Sequence, residues 1–178
     1  LCSQHSLRKW GRIMRDMDQQ QPALAFAGQE MREIFSEDMK FRLWRRLWLV
    51  LAESQSELGL DISAAQLAEL RGHLDDINYG IVAIKQRELG GEVRAHLYAL
   101  GMQCPKARPI LHLGVSEAYL TENSALLRLR AALLRIRCLL LNAVAALADF
   151  AERYQRLPCL CSRGAETASA TTLGKRAA

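Results

Sequence analysis

The longest apolar pattern in the chain runs from Asn123 to Arg156, NSALLRLRAALLRIRCLLLNAVAALADFAERYQR, without a glycine or a proline. Leu126, Leu129, Leu133, Ile136, Leu140, Val144 and Leu147 recur every three or four residues, and Leu127, Leu134, Leu141 and Ala148 form a second stripe beside them. That period predicts one continuous helix, roughly 50 Å long at about 1.5 Å per residue. A helix apolar over so much of its circumference requires neighbours on several sides. Arg135, Arg137 and Asn142 interrupt every window of about 20 residues that could cross a bilayer. The pattern therefore predicts a bundle helix, not a membrane span.

Upstream, the period of 3.6 recurs in shorter pieces. Ser36 is a candidate N-cap, with Glu37 and Asp38 favourable in a first turn. The helix it opens predicts Phe41, Trp44, Leu47, Trp48, Leu51 and Leu58 as its buried face and stops at Gly59. Ser63 with Gln66 has capping-box spacing and opens a helix ending at Gly72. Helices follow over Asn78–Leu89 and Glu92–Leu100, parted by Gly90-Gly91. The stretch GMQCPKARPILHLG, with two prolines between glycines, reads as a loop and places a domain boundary near Gly114. Beyond the long helix, closed by Pro158, residues 159–170 read as loop and TTLGKRAA as the start of another helix. There is no strand-period alternation and no internal repeat. The fold class is all-α: an arm over residues 1–26, a helical domain over 27–114, and the start of a long-helix bundle over 115–178.

Half of the 178 residues are apolar and about a quarter charged, an ordinary globular balance. The net charge of +5 is spread through mixed-sign segments such as EMREIFSEDMKFRLWRR, so it serves solubility or an anionic small molecule as readily as nucleic acid. No basic and aromatic platform or DNA-reading motif is present, and no nucleic-acid partner is expected. Arg8, Lys9, Arg12 and Arg15 with Trp10, Ile13 and Met14 suggest a short basic amphipathic helix, broken by Gln19–Gln21 and Pro22. A solvated arm is expected there, not a membrane-surface helix. The five cysteines, Cys2, Cys104, Cys138, Cys159 and Cys161, are odd in number and scattered. Cys159 and Cys161 lack the further ligands a metal site needs, so free thiols in a reducing, cytoplasmic setting are expected, with no metal. The first residues carry charges every few positions and no apolar signal core; the leading Leu suggests a fragment end. There is no P-loop and no GxGxxG, and no cofactor is implied.

Several blocks, taken in order, resemble the beginning of adenylosuccinate lyase, a member of the fumarase/aspartase superfamily. They are Gln29-Glu30-Met31, Phe35-Ser36, KFRLWRRLW at 40–48, LAE at 51–53, ELGL at 57–60, CPKA at 104–107, HLG at 112–114, LADFAE at 147–152, Leu157-Pro158 and TTLGKR at 171–176. The resemblance implies an all-α homotetramer in which long helices of several subunits pack together. It implies a β-elimination that releases fumarate from adenylosuccinate or the related succinyl-carboxamide ribotide of purine synthesis. A base on a mobile loop takes a carbon-bound proton and a histidine acid protonates the departing nitrogen. Cationic and hydroxyl groups hold the phosphate and carboxylates.

The departures from that pattern fall on the chemistry. The family's Arg-Tyr pair is here Ala25-Phe26, and its Arg-His-Asp triplet is Gly90-Gly91-Glu92, followed by the retained Val93, Ala95 and His96. Its Gly-Ala-Thr-Ser substrate loop is Gly114-Val115-Ser116-Glu117. Its Thr-His-Phe-Gln-Pro-Ala-Gln motif, which carries the histidine acid, is Arg163-Gly164-Ala165-Glu166-Thr167-Ala168-Ser169, and glycine has no side-chain proton to give. The region expected to supply the mobile serine loop and later arginines lies past residue 178. No catalytic residue is therefore expected. The candidate substrate-binding residues are Ser116, as the retained hydroxyl, Glu92, in place of an aspartate, and His96; His112, beside the loop, is a further candidate. Glu117 is expected to repel anionic groups by roughly several tenths to a few kcal/mol. The expected partners are copies of the chain, through the long helix, and a purine nucleotide. A non-catalytic helical interaction protein on the same scaffold is the alternative.

Overall fold

A computed structural model describes residues 27–161 and 169–178. The arm expected over 1–26, Ala25-Phe26 and the segment from Arg163 to Ala168 lie outside the described residues. Six helices are described: α1 Gln29–Ile34, α2 Glu37–Glu57, α3 Ala64–Gly72, α4 Tyr79–Leu89, α5 Glu92–Gln103 and α6 Glu117–Arg153. A 3-10 turn, Arg108–Ile110, precedes α6. The chain divides into two compact units, the first ending at Ala131 and the second beginning at Ala132, so the division falls inside α6.

Local chemistry sets the helix ends. The Ser36 hydroxyl accepts the Met39 N–H at 3.2 Å, as expected of an N-cap. The chain leaves α2 through Gly59, whose φ of +94° suits glycine. Ser63 and Gln66 form the reciprocal capping box at the start of α3. Asn78 caps α4 through Ile81 N–H at 3.1 Å, and Gly90 ends it in the left-handed region.

The core of the first unit is built on α2. Phe41, Trp44 and Trp48 are at most 4% exposed and pack with Leu70, Val93, Leu100, Cys104 and Leu120 from the other elements. Truncating any such aromatic to alanine costs about 3–5 kcal/mol. Leu58, expected on this face, is 82% exposed, because it is the C-cap residue and has left the helical register. Small residues let α4 and α5 pair closely: Ala95 and Ala99 are fully buried beside Val82.

Arg45 is a buried cation within that core. Its guanidinium donates to the His73 carbonyl, to Asp76 Oδ1 at 3.3 Å and to Gln103 Oε1 at 2.6 Å. Burial lowers its pKa, and the Asp76 carboxylate opposes that. The loop between α3 and α4 is thereby closed onto α2 and α5.

The second unit holds the remainder of α6, two strands and a closing turn. The expected loop and helix after Pro158 are corrected: β1 Pro158–Cys161 pairs antiparallel with β2 Ser169–Thr172, and residues 173–177 are turns. Four-residue strands are too short to declare a period of two, and the residues after β2 bond back to the end of α6. Leu173 N–H donates to the Leu157 carbonyl at 2.8 Å and Gly174 N–H to the Tyr154 carbonyl at 3.0 Å, satisfying the end of α6. A Cβ on Gly174 would lie 2.2 Å from the Ala151 carbonyl oxygen, so only glycine fits this approach.

The long helix begins earlier than its apolar run, at Glu117, because Leu120 is fully buried and Tyr119 packs beside it. Farther along, the expected stripes are uncovered: Leu126, Leu129, Leu133, Leu140, Val144 and Leu147 are 49–62% exposed. By length and composition alone α6 is long and apolar enough to cross a membrane. Arg135 and Arg137 lie within its apolar stretch.

Candidate functional site at the loop before the long helix

The loop from His112 to Glu117 is held by one face of α2. Trp44, Leu47, Trp48 and Gln55 recur at helical spacing and each makes a polar contact with the loop or the start of α6. Trp44 Nε1–H donates to Ser124 Oγ at 3.1 Å, and that hydroxyl donates to the Thr121 carbonyl at 3.1 Å. Tyr119 Oη donates to the Leu47 carbonyl at 3.5 Å. Trp48 Nε1–H donates to His112 Nδ1 at 3.2 Å, with the two rings edge to face. Gln55 Nε2 donates to the Leu113 carbonyl at 2.9 Å, leaving its buried Oε1 unpartnered.

The loop turns through two left-handed residues, His112 at φ 60° and Gly114 at φ 72°. The second suits glycine. The first is unusual for a residue with a Cβ and costs of order 1–3 kcal/mol, which the two bonds to α2 offset. Burial lowers the His112 pKa, and Glu117 works in the opposite direction.

The candidate residues are distributed as follows. Ser116 is exposed in the loop, and its carbonyl accepts the Tyr119 N–H at 3.1 Å. Glu117 lies beside it and pairs with Arg94 at 3.2 Å across to α5, both side chains exposed. The negative charge added to the loop therefore has a cation in place, which reduces the expected repulsion of anions.

Glu92 starts α5 and pairs with Lys40 Nζ at 2.8 Å; the same ammonium holds Glu37 at 2.9 Å. Lys40 lies 4.8 Å from the Phe41 ring centroid and 5.2 Å from that of Trp44. Glu92 thus fixes the start of α5 against α2. His96 is only 3% exposed, stacked on Phe41 at 3.9 Å and edge-on to Trp44 at 5.5 Å. Burial, with Arg45 and Lys40 nearby, pushes its pKa down to about 3, so the ring is neutral and Nε2 has no hydrogen-bond partner. The structure brings Ser116 and His112 into one loop and sets Glu92 and His96 into the α2–α5 packing. Gly164 lies outside the described residues.

Among the described residues, no group of three or more His, Cys, Asp or Glu side chains is placed to hold a metal ion. Cys104, Cys138, Cys159 and Cys161 are free thiols. Two features escaped the sequence reading. Arg94 gave no signal by itself, whereas Arg45 lies in the stripe 41, 44, 45, 48 and could have been read there as a buried cation.

No family model matches the chain. Its fold is shared with part of larger enzymes of known structure. It superposes on a 3-carboxy-cis,cis-muconate lactonizing enzyme from Pseudomonas putida with a TM-score of 0.75 at 23% identity, over 85% of this chain and 36% of that one. A fumarate lyase from Mesorhizobium sp. BNC1 gives 0.75 at 21% identity over the same shares. These likenesses show a fold shared with such enzymes, of which the chain matches about a third.

Sequence comparison finds a likeness to adenylosuccinate lyases. The chain is 35% identical over 151 residues to the enzyme named so in Schistosoma mansoni and 36% identical over 155 residues to that of Saccharomyces cerevisiae. In each case the match covers 85% of this chain, and the chain spans about a third of the length of these relatives, 32%. The resemblance inferred from the sequence blocks is therefore borne out.

Proposed function

We propose that the chain is an adenylosuccinate-lyase-type segment that supplies scaffold and a substrate loop and has no turnover by itself. The observation that carries this reading is a collinear match to adenylosuccinate lyases over 85% of the chain, combined with glycine at residue 164, where the resemblance puts the proton-donating histidine. The reaction it would belong to is release of fumarate from a purine nucleotide substrate by β-elimination, in purine synthesis in the cytoplasm. In this reading Ser116 and His112 meet an anionic substrate, and the pairing of Arg94 with Glu117 beside them supports it. Glu92 and His96 act as supports, through Lys40 and Phe41. Following fumarate release by ultraviolet absorbance with adenylosuccinate should give no rate above the uncatalysed background. Measurable turnover by the 178 residues would overturn this reading.

A second reading is favoured by the uncovered leucines of α6: a non-catalytic helical protein that associates through this helix, as the family homotetramer implies. An exposed apolar face of this extent is typical of interaction surfaces. Light scattering should then give a mass well above 20.0 kDa, the mass of one chain; a monomer across the accessible concentration range would refute it.

A further inference from the structure

The His112 ring is held in a way that dictates where its proton sits. Trp48 Nε1 is a donor only, so the 3.2 Å contact requires His112 Nδ1 to be the unprotonated acceptor. The neutral ring must then carry its proton on Nε2. Charging the ring would put an N–H on Nδ1 against the indole N–H and destroy the bond. Trp48 itself is 1% exposed, packed in the core cluster built on α2. The histidine backbone is held in the left-handed region, and the next residue's carbonyl is fixed by Gln55. A non-glycine residue kept in such a conformation by two side chains of one helix is a device for aiming a group, because relaxed loops avoid it.

We propose that Trp48 is a positioning residue: its indole N–H locks His112 as the neutral Nε2–H tautomer, so that the ring offers a fixed, uncharged N–H donor beside the Gly114–Glu117 loop. The idea rests on the reading of that loop as substrate-contacting only for what the donor serves; the lock itself does not. A neutral donor suits a loop whose charge balance is already set by the Arg94–Glu117 pair, since an imidazolium would change that balance with pH. Trp48 acts solely through His112.

The full chain, labelled with nitrogen-15 in histidine, permits the test. Long-range proton–nitrogen correlation at pH 7.5, with the ring assigned by His112→Asn, should show Nδ1 unprotonated and Nε2 protonated. Trp48→Phe keeps an aromatic ring but removes the donor. It should let the Nδ1–H form appear and raise the His112 protonation constant by about fivefold, the worth of one lost hydrogen bond. Trp44→Phe is the control, since its indole donates to Ser124 instead; it should leave His112 unchanged. Equal effects from the two tryptophans would reduce Trp48 to general packing and overturn the proposal. Should Trp48→Phe fail to fold, the unaltered chain still decides, because an Nδ1–H ring there is incompatible with the lock. Addition of AMP separates the two levels. A locked ring whose resonances move with AMP supports both readings, whereas a locked ring indifferent to AMP upholds Trp48's role and overturns the loop's assignment to substrate.

Discussion

The acid sensitivity of the first unit should be governed by His96. The ring is buried and neutral, with a pKa near 3, while in an unfolded chain it titrates near 6.5. Below pH 6.5 the unfolded state takes up a proton that the folded state refuses, so stability present at neutral pH is lost as pH falls. The slope for one such group approaches about 1.4 kcal/mol per pH unit, and it persists until the folded ring itself protonates near pH 3. Between pH 6.5 and 5, above the range where most carboxylates titrate, the loss should reach about 1–2 kcal/mol. The perturbation is His96→Phe, which keeps the stack on Phe41 and deletes a buried Nε2 that has no partner. Urea unfolding at pH 7.5, 6.5, 5.5 and 5.0, on both proteins, isolates the residue, since every other titrating group is common to the two. The substituted protein should be as stable as the original or more so at pH 7.5, and the gap between them should widen steadily as the pH falls. A gap that stays constant from pH 7.5 to 5 would refute the reasoning, because it would mean that His96 binds its proton equally in both states.

Two further substitutions probe the framework. Arg45→Met should destabilise the first unit by about 2–4 kcal/mol, because the Gln103 amide, the His73 carbonyl and Asp76 lose a shared donor; thermal unfolding measures it, and a neutral result would show that the buried cation is dispensable. Gly174→Ala should loosen the closing turn, since its methyl meets the Ala151 carbonyl at 2.2 Å; hydrogen exchange at the Leu173 and Gly174 amides should accelerate at least tenfold, the equivalent of about 1.4 kcal/mol, and unchanged protection would contradict the close approach.

The helices were legible because their punctuation is local chemistry. Ser36, Ser63, Gly59 and Gly90 each satisfy or release backbone groups within one turn, so sequence alone carries the signal. The start of α6 was misplaced at Asn123 because the preceding turn is polar, and what holds it is burial of Leu120 against residues far away in sequence. Strands β1 and β2 failed for a related reason: each exists only by pairing with the other, and neither is long enough to show alternation. For the candidate site, Ser116 and His112 could be singled out from neighbouring blocks, yet nothing in the sequence tied His112 to Trp48 or Glu117 to Arg94. Those are tertiary pairings. His96 and Glu92 were likewise singled out by type, and the sequence did not show that they stack on Phe41 and pair with Lys40.

The hooks along α2 have a consequence for the order in which the molecule can be assembled. Trp44 bonds to a residue 80 positions later, Leu47 to one 72 later, Trp48 to one 64 later and Gln55 to one 58 later. Made vectorially at about 5–20 residues per second, the chain leaves the Trp44 indole without its hydroxyl for roughly 4–16 seconds. A folding route that waits on such distant closures is slow relative to helix formation itself, so α2 should form early while its tryptophans acquire their final surroundings last. The fluorescence of these side chains is thus a natural clock for the final step of folding.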